Sequence, residues 1–163
     1  MTATSLGGDC TLRTIFVDAD ACPVKSEIYK VAKRYGWSVT VVANTVMHTP
    51  QADWLSMIVV GNNADAADNW IAEHVGEGDI VVTADIPLAA RCLQNHAKVL
   101  DSRGKEFTED AIGSALANRE LLDQLRVDGM ITGGPAPFQP KHRSNFLQKL
   151  DQLIHQVQKQ HKL

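Results

Sequence analysis

Apolar and polar positions along this chain fall into two alternating kinds of run. Short apolar or β-branched stretches, Thr14 to Asp18 (TIFVD), Ser38 to Ala43 (SVTVVA), Met57 to Val60 and Asp79 to Thr83 (DIVVT), read as strands covered on both faces. Between them apolar residues recur at helical spacing. Val24, Ile28, Val31, Ala32 and Tyr35 predict a helix that Pro23 opens and Gly36 closes, as expected of a proline at N1 and a glycine at C′. Ala67, Trp70, Ile71 and His74 or Val75 predict a second helix, with Asn63 or Asp65 near its cap and Gly76 at its end. A third follows Pro87 and runs through His96, a weaker strand covers Ala97 to Leu100, and Thr108 caps a helix over Glu109 to Arg126. Arg143 to Gln158 closes the pattern with a clear amphipathic stripe. Strand, helix, strand is the unit of a parallel sheet, so the expected class is α/β: a three-layer α/β/α fold with a mostly parallel central sheet.

At 163 residues, with 44% hydrophobic and 21% charged positions, one domain is expected, over residues 13–158, with disordered tails at 1–12 and 159–163. No apolar run reaches membrane-spanning length, and MTATSLGGDCTLR lacks the basic start and apolar centre of a signal peptide, so no membrane partner and a cytoplasmic location are expected. Cys10, Cys22 and Cys92 form neither a disulfide framework nor a zinc knuckle. Cys22 is the one to watch, because it lies beside an acidic pair. A net charge of −3 argues against bulk electrostatic binding of nucleic acid, although the end of the chain from Lys141 onward is basic.

Those acids sit at strand-to-helix corners. Asp18 and Asp20 follow the first strand before Pro23, and Asp85 follows the DIVVT strand before Pro87. In an open α/β sheet that is the edge where ligands bind. Asp68, early in the second helix, completes a set of four candidate catalytic acids: Asp18, Asp20, Asp68 and Asp85. Converging carboxylates repel one another, and Mg²⁺ or Mn²⁺ between Asp18, Asp68 and Asp85 is the natural remedy. Such an ion suits phosphate substrates, and phosphodiester hydrolysis is the reaction it serves. The plainer alternatives are that Asp20 caps the helix at Pro23 and that Asp65 caps the helix after Gly61. Asp79 starts its strand and so belongs to the opposite edge. Asn44, Lys141 and Arg143 are candidate substrate contacts; Lys141 and Arg143 fit a phosphate backbone or plain solvation equally well. The loop GGPAPF reads as a rigid connector or lid or as a phosphate-holding loop, His48 and His142 as surface polar residues or as general acids or phosphate contacts, and Trp37, Trp54 and Trp70 as core rather than base-stacking platforms.

Taken together, VDADACPVK, ANTV, NNADAADNWI, GDIVVTADIPLA, VLDSRG and TGGPAPF resemble the YaiI/YqxD family over about Thr14 to Ile154. That family is considered PIN-like, and PIN domains are metal-dependent ribonucleases on a parallel sheet flanked by helices. The resemblance therefore implies a PIN-like nuclease fold, with Asp18 as the acid ending the first strand, Asp68 as the helix acid, where PIN domains more often have Glu, and Asp85 as the acid after the later strand. Asp20 is an addition of this family, and His142 stands where its members usually carry an acid before the arginine.

Three functions compete. The first is a metal-dependent phosphodiesterase or nuclease acting on RNA, in which Asp20 is a ligand or a water-orienting base. The second draws on hhhhDxD at a strand end, which also resembles haloacid-dehalogenase phosphatases. There Asp18 would be a phosphorylated nucleophile and Thr83 the hydroxyl ending a second strand, but no matching Lys or late acidic pair follows. The third is a non-catalytic RNA- or protein-binding module on the same sheet edge.

Overall fold

The computed structural model describes residues 13–19, 22–61, 65–113 and 138–160. Six strands, β1 (Thr14–Asp18), β2 (Ser38–Ala43), β3 (Leu55–Val59), β4 (Ile80–Val82), β5 (Lys98–Leu100) and β6 (Glu106–Phe107), form one sheet in the order β3-β2-β1-β4-β5-β6. Pairing is parallel from β3 through β5, and β6 joins antiparallel. The helices are α1 (Lys25–Tyr35), α2 (Ala66–His74), α3 (Ile86–Gln94) and α4 (Pro140–Gln160), and residues 109–113 are also helical. This is the expected α/β/α architecture. No described helix is long and apolar enough to cross a membrane.

The layers follow from strand periodicity. Successive strand side chains point to opposite faces, and because both faces are covered the strands are apolar throughout. Ile15, Val17, Val39, Val41, Ile80, Val82 and Leu100 belong to one core with Ile28 and Val31 of α1 and with Phe146, Leu150, Leu153, Ile154 and Val157 of α4. Phe16, Val42, Val81 and Val99 belong to the other, with Ala67 and Ile71 of α2 and Leu88, Ala89 and Cys92 of α3. Each fully buried Leu, Ile or Phe contributes about 1.5–3 kcal/mol relative to exposure. Cys22 and Cys92 are free and buried, and Trp37 is core, whereas Trp54 and Trp70 are partly buried against it.

Several boundaries differ from the sequence reading. Pro23 does not open α1; it lies in the preceding turn, and Val24 holds the N-cap position without a side-chain cap. The carbonyl of Pro23 instead accepts from the Arg143 guanidinium at 3.2 Å. Asp65 occupies the N-cap of α2 but makes no capping hydrogen bond, because its backbone is helical (φ −93, ψ 0) rather than extended as a capping side chain requires. The third helix stops at Gln94, and His96 takes a positive φ of 66. Thr108 does cap the helix over 109–113, accepting from the Ala111 N–H at 3.2 Å. The remainder of the helix expected as far as Arg126, the tail with Cys10, and Asn63 lie outside the described residues. The last helix begins at Pro140, three residues earlier than its apolar stripe, and β6 is too short to leave a periodic signal.

The register aligns the carboxyl ends of the parallel strands: Asp18 lies opposite Val42, Ala43 opposite Val59, Val17 opposite Val82, and Val82 opposite Leu100. The chain runs from β1 outward through β2 and β3, then crosses back to place β4 on the other side of β1. The strand order therefore reverses between β1 and β4, and ligands of such sheets bind in the crevice at that reversal.

Candidate functional site

Asp18 ends β1, and Thr83 follows the last residue of β4, the adjacent strand. Thr83 is 3% exposed and donates its hydroxyl to Asp18 Oδ2 at 2.9 Å, while its Oγ1 accepts the Asp85 N–H at 3.0 Å. One buried hydroxyl thus ties the two corners together. Asp85 is the N-cap of α3: its backbone is extended, its Oδ1 accepts the Leu88 N–H at 2.9 Å, and Pro87 follows within the first turn. Asp18, Cys22, Val82, Thr83, Asp85 and Ser102 line a cleft of about 260 Å³ at this point.

Asp68 reaches the same region from α2. Its carboxyl is pushed up to about 6, first by burial and then by the negative charges of Asp85, Asp18 and Asp65, with Arg91 opposing. Asp18 shares the register of Phe16, whose side chain belongs to the core beneath α2 and α3, so Asp18 lies on the sheet face that α2 and α3 cover. Asp20 lies outside the described residues, as does most of GGPAPF.

The donor chemistry fits a hard divalent cation. Carboxylates that raise one another's affinity for protons gain from a cation among them, and Mg²⁺ takes oxygen ligands, using one or two carboxylates and several waters. Among the described residues no three His, Cys, Asp or Glu side chains are grouped so that they could hold a metal ion. Cys22 is not an activated nucleophile, because burial pushes its thiol up from 9.0, and the charges of Asp18 and Glu27 add to that.

The remaining candidates are placed as follows. Asn44 follows β2 at the same edge, and its Nδ2 donates to the Gly61 carbonyl at 2.8 Å, joining the ends of β2 and β3. Arg143 pairs with Glu27 Oε1 at 2.8 Å, and its guanidinium lies 5.3 Å from the Phe138 ring centre. With its bond to Pro23, that arginine fastens the start of α4 to the β1–α1 corner. Lys141 is exposed in the first turn of the same helix. Asp79 is at the opposite edge, where it accepts N–H groups of Thr14 (3.2 Å) and Gly76 (2.9 Å). Two residues gained weight from the fold. Thr83, read from sequence only as a phosphatase hydroxyl, is the link between corners, and Ser102 lines the cleft from the turn after β5. Thr83 carried a signal, a polar residue ending a buried strand; Ser102 carried none.

Residues 16–156 match the family described as the uncharacterised YaiI/YqxD family, DUF188. A UPF0178 protein of Rhodospirillum rubrum is 53% identical over 146 residues, covering 89% of this chain and 97% of that protein. One of Azorhizobium caulinodans is 55% identical over 141 residues (86% and 89%), and one of a Bradyrhizobium species is 51% identical over 147 residues (90% of each). No solved structure matches the chain.

Proposed function

The chain belongs to the YaiI/YqxD family, and on that premise we propose that it is a PIN-like, metal-dependent phosphodiesterase acting on RNA, with Asp18, Asp68 and Asp85 as ligands of Mg²⁺ or Mn²⁺. The observation that carries this reading is the placing of Asp18 and Asp85 at the strand-order reversal, joined through the buried Thr83 hydroxyl, with the Asp68 carboxyl raised to about 6 by burial and by their charges. A fold that sets three acids against one another does so at a cost in stability, and a cation offsets it. When bound, the ion supplies a water of lowered pKa and neutralises charge developing on phosphorus.

The chain's own residues do the rest. Thr83 fixes the Asp18 carboxylate through Oδ2, and the cap on Leu88 fixes that of Asp85 through Oδ1. Asp68, whose carboxyl burial and neighbouring acids raise to about 6, is the acid that gains from a cation beside it. Asp20, two residues beyond Asp18, is a further ligand or water-orienting base. Purified protein incubated with Mn²⁺ and a panel of single-stranded and structured RNAs is expected to cleave, and Asp18→Asn and Asp85→Asn to abolish cleavage. Cleavage that survives both substitutions removes the metal-carboxylate reading.

One observation favours a second reading, phosphoryl transfer to Asp18. The Thr83 hydroxyl donates a hydrogen bond to Asp18 Oδ2 at 2.9 Å. It supplies one of the groups such phosphatases use. A covalent phosphoaspartate at Asp18 after treatment with an acyl phosphate separates this reading from the first.

A further inference from the structure

Three neighbouring strands, β1, β4 and β5, bring their carboxyl ends to the cleft, and each supplies a polar residue to its wall: Asp18, Thr83 and Ser102. The Thr83 hydroxyl is committed, because it donates to Asp18 Oδ2. Burial raises the Cys22 thiol, which stays protonated and is a weak donor. Ser102 is different. It is half-buried in the cleft wall, and among the described residues its hydroxyl makes no hydrogen bond.

The turn that carries Ser102 is held from two sides. Asp101 Oδ1 accepts the Arg103 N–H (2.9 Å) and the Lys105 N–H (2.8 Å), and the Asp101 N–H donates to the Lys105 carbonyl (2.9 Å). These bonds close residues 102–104 into a three-residue connection between β5 and β6, for which a glycine in the left-handed region is usual. Gly104 takes that place at φ +92, and a Cβ there would lie 2.7 Å from the Asn145 carbonyl carbon and 2.9 Å from the Phe146 nitrogen. The turn thus rests backbone to backbone on α4, an approach that only glycine permits. A hydroxyl on so constrained a turn is ordered before any ligand arrives.

The chemistry of the wall says what that hydroxyl suits. Asp18 and Asp85 offer acceptors, and a phosphodiester has two nonbridging oxygens that are acceptors as well. Each of those oxygens needs a cation or a donor. A cation at the acids meets one, and a donor two strands away from Asp18 meets the other. A cleft of about 260 Å³ has room for a phosphate group and a few waters, at about 30 Å³ each, so the bases of a strand stay outside.

We propose that the Ser102 hydroxyl is a substrate contact that donates to a nonbridging oxygen of the phosphodiester, with Asp101 and Gly104 as the positioning residues that hold it there. The proposal rests on the metal-dependent phosphodiesterase reading above, and it names the part of the substrate that the cleft grips. A contact to phosphate carries no sequence information, so it confers affinity without base preference.

The test is calorimetric titration of inorganic phosphate into the full chain with Mg²⁺ present, beside titration of Mg²⁺ alone. Ser102→Ala is expected to bind Mg²⁺ as the parent does and phosphate about tenfold more weakly. Its melting temperature should be unchanged, since a half-buried hydroxyl without a partner adds little to stability. Asp101→Ala should lose the same factor, and Asp101→Asn, which keeps an acceptor oxygen for the turn, should restore it. Combining Ser102→Ala with Asp101→Ala should lose no more than either alone. A short single-stranded RNA should show the same tenfold loss in Ser102→Ala. Phosphate binding that Ser102→Ala leaves unchanged overturns the proposal, as does a loss seen with RNA and not with phosphate, which moves the contact to the sugar. Loss of Mg²⁺ binding in Ser102→Ala also overturns it, by making the serine a support of the ion. Failure of the metal-dependent reading looks different: the parent itself then binds no Mg²⁺, and the phosphate contact falls with it.

Discussion

Replacing Asp68 by asparagine should make the metal-free protein more stable, and only above a defined pH. Asp68 titrates near 6 in the folded chain instead of 3.8, so its ionised form is disfavoured by folding. At about 1.4 kcal/mol per pH unit, that difference amounts to about 3 kcal/mol against the charge; water on its exposed side screens this to ~1–2 kcal/mol. Because the folded pKa is the higher one, the penalty is absent below about pH 4, grows as pH rises toward 6, and is complete above it. Asp68→Asn removes the charge and should raise the melting temperature at pH 8 in EDTA by about 2–8 °C. At pH 4 the two proteins should melt together. Adding Mn²⁺ at pH 8 should close the gap by stabilising the parent more than the variant. Thermal melts across that pH range, with and without Mn²⁺, read all three effects. A variant that is less stable at pH 8, or a difference that does not change with pH, refutes the electrostatic reasoning.

Other substitutions separate scaffold from site. Asp79→Ala frees two backbone N–H groups at the opposite sheet edge, and should cost about 1–3 kcal/mol in urea unfolding while leaving any Mn²⁺-dependent cleavage intact in the folded protein. Thr83→Val keeps the shape but loses both of its hydrogen bonds. It should lower stability by about 1–3 kcal/mol and reduce cleavage, whereas Thr83→Ser should restore both. Leu150→Ala, fully buried between α4 and the sheet, should cost about 2–5 kcal/mol by the same unfolding assay.

What the sequence disclosed depended on how far apart the interacting residues lie. Strands such as SVTVVA and helices such as 25–35 were legible because their signal is local periodicity, and the sheet edge was legible because Asp18 and Asp85 each follow an apolar run. That the two corners face each other follows from parallel topology, which β-α-β alternation predicts. Their joining by Thr83 does not follow, since it depends on one rotamer at the end of β4. Capping was read by residue type, and backbone conformation decided it: Asp65 is helical and does not cap, while Asp85 is extended and does. The part played by Arg143 was out of reach for a different reason. Its partner Glu27 is 116 residues away, and either residue alone reads as a solvated surface charge.

The central claim is that the Asp18, Asp68 and Asp85 edge takes a divalent cation. Titrating Mn²⁺ into the parent chain and into Asp18→Asn at neutral pH, by calorimetry with water-proton relaxation as a second readout, tests it most directly. The account predicts saturable binding to the parent, weakening as the pH falls below about 6 and Asp68 takes up a proton, and loss of that binding in Asp18→Asn. Identical titrations of the two proteins, or no binding to the parent, contradict it.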